Sequence, residues 1–184
     1  MLDREELIEQ AYFFHALGER LADNLPMQEV LGSVKEEILA TTKLPMAIDY
    51  LLAELIHTGL MSSAMTKLSH YFTPFQAYVM SEAESDHSRF DFRVALQILQ
   101  KEADYRAKDG SVQGVFMYQF ETLCRNRLRY ERALDAMGLD PIYNSDWREW
   151  LDTVRRQIGI IDLSDLIYVR SQHYLTIRRW QGET

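Results

Sequence analysis

The feature that most constrains this chain is how rarely its apolar periodicity is interrupted. Only 8 glycines and 4 prolines are spread over 184 residues, about half the usual share of the two helix breakers. Between them apolar residues recur at three- and four-residue intervals, the spacing of one helix face. Strands need alternation every second residue and frequent turns, and this chain supplies neither. The sequence predicts an all-α fold: a single-domain helical bundle over residues 1–184, with seven or eight helices and one long central helix over about 111–137.

Local signals place the starts. Asp3 is a cap with Glu6 as its reciprocal capping-box partner, and Leu2 and Leu7 stand at the two staple positions. Leu7, Ala11, Phe14, Leu17 and Leu21 then form one stripe. Leu25-Pro26-Met27 and Leu44-Pro45-Met46 open the next two helices, since proline suits a first turn. Ile48, Leu51, Leu52, Leu55 and Ile56 are expected on the inner face of the second of these. Thr73-Pro74-Phe75-Gln76 is the clearest start signal, and Ser88 or Asp91 opens a helix whose stripe is Phe92, Leu96, Leu99 and Ala103. Phe116, Phe120, Leu123, Arg127, Tyr130, Leu134 and Met137 repeat with no breaker after Gly114, which is the basis for the long helix. Ser145 is read as the cap of a helix closed by Gly159, and a last helix runs from Asp162 or Ser164 through Trp180.

The formal charge of −8 has the wrong sign for a general nucleic-acid binder. Residues 1–60 hold 11 acids and 4 bases, so the acidity belongs to the first helices. The longest uncharged run, Leu68–Ser81, has 14 residues, short of the roughly 20 that span a bilayer. The opening Met-Leu-Asp-Arg-Glu-Glu has no leader character, so a cytoplasmic location and no membrane partner are expected. Cys124, the one cysteine, excludes an internal disulfide and is expected to be a buried, inert thiol.

No phosphate loop, dinucleotide fingerprint, zinc-protease helix, nucleophile elbow or Cys-x-x-Cys is present. Three weaker constellations remain. Glu-x-x-His occurs as Glu54–His57 and Glu84–His87, the ligand pair of di-metal bundles, which need further acids from other helices. Glu9, Glu37 or Glu121 are candidates for that role, and a divalent iron, manganese or zinc ion is the cofactor implied. Glu54 and His57 are the better placed pair, flanked by apolar residues. Arg125, Arg129 and Arg132 share one helical face with Tyr118 and Glu121 nearby, an arrangement able to bind an anion or an acidic partner. Arg127 falls instead on the apolar stripe. Finally, Leu55–Ser81 carries one charged residue, Lys67, in 27 positions. Met61, Met65, Phe72, Phe75 and Tyr78 within it are read as core or as an adaptable contact surface. The leading expectation is a non-catalytic helical interaction module with a protein partner, most simply a homodimer. The alternatives are the carboxylate–histidine metalloprotein and a small-molecule or anion pocket.

Overall fold

The computed structural model describes residues 2–21, 25–85 and 90–180. It is all-α. The helices are α1 Arg4–Arg20, α2 Met27–Lys35, α3 Leu44–Thr58, α4 Met61–Lys67, α5 Pro74–Ala83, α6 Phe92–Ala107, α7 Val112–Asn126, α8 Tyr130–Gly138, α9 Ser145–Gln157, α10 Leu163–Tyr168 and α11 Gln172–Trp180. A lone bridge between Ile158 and Ile161 is the only β-type pairing among the described residues.

The starts follow the sequence where the cap is local. Asp3 accepts from the Glu6 amide at 3.0 Å. Thr73 and Gln76 form both halves of a capping box, and Asp91 accepts from the Arg93 and Val94 amides. Asn144, not Ser145, caps α9 by accepting from the Trp147 amide. Glu6 does not close its box. Its carboxylate reaches across to the Lys43 amide at 2.7 Å, ahead of α3. Two more carboxylates act at the same range: Glu9 accepts from the Leu39 amide at 3.0 Å, and Glu84 accepts from the Met61 and Ser62 amides at 2.6 and 3.0 Å. Orphan N–H groups at a helix start favour an anion; Glu84 supplies it to the first turn of α4 and Glu6 to the Lys43 cap of α3, while Glu9 serves the α2–α3 loop.

The expected long helix over 111–137 is two helices. Arg127 takes a left-handed conformation (φ 53°, ψ 40°) and ends α7. The Leu128 amide donates to the Leu123 carbonyl at 3.0 Å and the Arg127 amide to Cys124 at 3.4 Å, the paired bonds of a Schellman end. Leu128 and Leu123 are both buried, so the apolar contact that usually accompanies this motif holds the break in place. Arg127 itself is exposed. Its apparent place on the apolar stripe is an artefact of counting through a break. A left-handed non-glycine residue is strained by about 1–2 kcal/mol, partly offset in glycine by its looser unfolded chain. Arg127→Gly should therefore stabilise the protein by about 0.5–1 kcal/mol, read as a melting temperature higher by roughly 1–4 °C. An unchanged or lower value would mean the arginine side chain contributes something its exposed position does not show. The last helix is likewise divided, into α10 and α11.

The core is one contiguous cluster of buried apolar side chains. α1 lies along α6, α5 packs against α4, α6 and α8, and α8 pairs with α9. Met61, Met65, Phe72, Phe75 and Tyr78 are all buried within this chain's own core, so they are not a face offered to a second copy. At roughly 1.5–3 kcal/mol for each large apolar side chain removed from water, they are part of what holds the bundle closed. Ile56, expected inside, is 74% exposed, because α3 turns it away from the face carrying Ile48, Leu51 and Leu55.

Candidate functional site

The constellations predicted from sequence are dispersed. Glu54 pairs with Lys67 at 2.7 Å and accepts from the Ser63 hydroxyl at 3.4 Å. Lys67 holds the Glu54 carboxyl below its usual range, while His57 is exposed. Glu9 serves the Leu39 amide, Glu37 bonds Tyr12 and Arg20, and Glu121 pairs with Arg125 at 2.6 Å. Among the described residues no group of three or more His, Cys, Asp or Glu side chains is placed to hold a metal ion. Glu84 serves α4, and His87, its expected partner, lies outside the described residues.

The arginine face divides with the helix. Arg125 makes a surface pair with Glu121 on α7, while Arg129 and Arg132 approach the buried Glu82 of α5 at 3.3 and 3.9 Å. Tyr118 turns its hydroxyl to the Ile98 carbonyl at 3.1 Å. Cys124 is exposed rather than buried. It sits in the last turn of α7 and accepts from the Tyr130 hydroxyl at 3.4 Å.

A different cluster forms where α6, α7 and the α8–α9 turn meet. Arg106 Nη2 donates to Glu102 Oε1 at 2.9 Å and to Asp140 Oδ2 at 2.5 Å, and Nη1 donates to Asp140 Oδ1 at 3.4 Å. Gln119 donates to Glu102 at 2.7 Å and accepts from the Tyr143 hydroxyl at 2.7 Å. The Ile142 amide gives Asp140 a third bond at 3.0 Å. Glu102, Gln119, Asp140 and Tyr143 are essentially inaccessible to water. Burial pushes the Glu102 carboxyl above its usual range against the opposing pull of Arg106, and the charge of Asp140 adds to the rise. Arg106 and Asp140 also line a cavity of about 640 Å³ whose other walls come from the start of α1, the α4–α5 loop and the α6–α7 turn.

Arg106 was findable. The stripe Phe92, Leu96, Leu99, Ala103 continues by three to position 106, so a charge on that face, four residues after Glu102, marks a buried pair.

The second distinctive region is the arm α10–α11. Leu166 is buried and its carbonyl accepts from the Trp150 indole N–H at 3.1 Å, which anchors α10 to α9. Beyond it α11 buries no side chain. Ile160, Ile161, Ile167, Tyr168, Val169, Leu175 and Trp180 are exposed, Trp180 at 87%. A groove of about 620 Å³ separates Leu175 from Phe116, Trp147 and Trp150. Among the described residues no helix is long and apolar enough to cross a membrane. No protein-family model matches the sequence, and no curated protein or solved structure matches it either.

Proposed function

We propose that this chain is a non-catalytic helical interaction module that self-associates through the α10–α11 arm. The observation that carries this reading is α11: nine residues with no buried side chain, ending in a tryptophan. Helices that short are marginal in water without tertiary packing, and a contiguous exposed apolar surface marks a contact site. Charge complementarity supports a second copy as the occupant. The arm, residues 163–180, holds three arginines against one acid, Asp165, while residues 1–60 hold 11 acids against 4 bases. The acidic first third also exposes apolar side chains, Met46, Tyr50 and Ile56 on α3 and Ile8 and Tyr12 on α1. Contacts between the arm and residues 1–60, exchanged between two copies, close a twofold dimer. A reducing, cytoplasmic setting suits this reading, because it keeps the exposed Cys124 a thiol.

Sedimentation of the purified protein at micromolar concentration tests the proposal. The wild type should be a dimer, and Leu175→Glu combined with Trp180→Glu should be a monomer that still melts cooperatively and loses no more helix than α11 itself contributes. The dimer should also weaken as salt rises from about 50 mM to about 0.5 M, because exposed charges are then screened. A monomeric wild type, or a dimer indifferent to the double change, overturns it.

A further inference from the structure

The cavity beside Arg106 is independent of the arm, and most of the unengaged polar groups buried in its wall are donors. Gln10 and Gln76 are buried in its wall, linked by a 2.8 Å bond from Gln76 Nε2 to Gln10 Oε1. Gln10 Nε2 donates once, to the Tyr71 carbonyl at 3.4 Å, and the Gln76 oxygen accepts from the Thr73 amide at 3.0 Å. Each carboxamide nitrogen therefore keeps one N–H in reserve. Arg106 Nε is buried and has no partner, because the Glu102 pair is made through Nη2 alone. Both oxygens of Asp140, the one carboxylate buried in the cavity wall, are already engaged by Arg106 and the Ile142 amide. Among the buried wall groups the unengaged ones are donors, except the Tyr71 hydroxyl, which can donate or accept; the Asp109 carboxylate lies exposed at the rim. At the mouth Arg4 is exposed and makes no ion pair with another described residue. The rest of the wall is mainly apolar, with Leu7, Phe72, Val112 and Ile142.

We propose that this cavity is a binding site for a small amphipathic carboxylic acid, its apolar body against Leu7, Phe72 and Ile142 and its oxygens on the spare donors of Arg106 and Gln10. A volume of about 640 Å³ falls within the range of small-molecule sites, which are typically apolar with a few convergent polar groups. An acceptor-bearing ligand relieves donors that are costly to leave buried and unpaired. An alkylamine of the same length has no acceptor to offer in its charged form, so the site distinguishes the two by chemistry and not by size.

Decanoate and decylamine are the probes, read by titration calorimetry and by melting of the full chain. Decanoate should bind saturably at one site per chain and raise the melting temperature, and decylamine should do neither. Leu7→Trp fills the cavity without touching the polar network, so it should weaken decanoate at least tenfold while the ligand-free protein keeps its melting temperature. Gln10→Leu, which removes a donor, should weaken decanoate more than it weakens decanol. Equal binding of acid and amine overturns the proposal, as does the absence of saturation. Decanoate binding that survives Leu7→Trp but is lost in the Leu175→Glu, Trp180→Glu protein would place the ligand on the arm and overturn the cavity assignment, leaving the self-association reading to its own test.

Discussion

Arg106→Met should lower the melting temperature by roughly 6–20 °C. Among the described residues the guanidinium is the only cation bonded to two buried carboxylates, Glu102 and Asp140, with side-chain exposure of 7%, 1% and 0% respectively. Breaking a buried pair by removing one partner costs about 3–5 kcal/mol, because the remaining charge is left unpaired. In a chain of this length each kcal/mol moves the transition by about 2–4 °C. Arg106→Lys should recover only part of the loss, since a single ammonium cannot fork between two carboxylates. The same cluster sets a pH dependence. The folded-state pKa of Glu102 lies above its ordinary value, so the folded protein binds that proton more tightly than the unfolded chain does. Its contribution is fully present below the ordinary carboxylate range, falls as pH rises through the raised value, and is flat beyond it. Glu102→Gln removes this decline. Denaturant melts of the two proteins between about pH 4 and about pH 8 should therefore diverge toward low pH, with the wild type gaining relative to the variant. Parallel curves would assign the titration to another group.

Phe75→Asp should abolish cooperative melting. Phe75 is fully buried on α5, its ring 6.5 Å from that of Tyr78, and α5 buries residues on every side. The change combines a cavity costing about 3–5 kcal/mol with a buried charge that has no partner. Total stability for a domain is about 5–15 kcal/mol, so little or none remains. Circular dichroism beside light scattering distinguishes this from a surface role. A variant that stays helical and merely changes its oligomeric state would return the Leu55–Ser81 stretch to the surface, against its burial.

Which parts of this architecture can be read in advance depends on how far apart the interacting residues are. Asp3 and Thr73 with Gln76 act on amides three positions away, so the sequence names them directly, and Asp91, one of two candidates with Ser88, acts on amides two and three positions away. Asn144 and Ser145 are both good caps at adjacent positions, and local chemistry does not rank them. The break at Arg127 has no glycine to announce it. It is held by Leu123 meeting Leu128 and by packing of α8 against α9, neither of which shows in a periodic pattern that runs straight through. The polar cluster is harder still, since Glu102 comes from α6, Gln119 from α7, and Asp140 with Tyr143 from the α8–α9 turn, and local spacing joins only Glu102 to Arg106 and Asp140 to Tyr143. Glu54 and His57 illustrate the converse. Their spacing was right for a ligand pair, but Lys67, thirteen residues away, engages the carboxylate and the imidazole faces solvent.

The borrowed carboxylates at the starts of α3 and α4 bear on how the chain folds. Glu6 and Glu84 reach amides 37 and 23 residues away, and neither α3 nor α4 has a side-chain cap of its own. A fragment that contains α3 without α1, or α4 without α5, starts with bare first-turn donors and little reason to coil. Those helices must therefore consolidate after the elements that supply the acids have docked, which raises contact order and slows folding for an all-helical chain. It also ties distant segments into one cooperative unit. Hydrogen exchange at the Lys43 and Met61 amides then follows global opening, where helix starts ordinarily fray on their own.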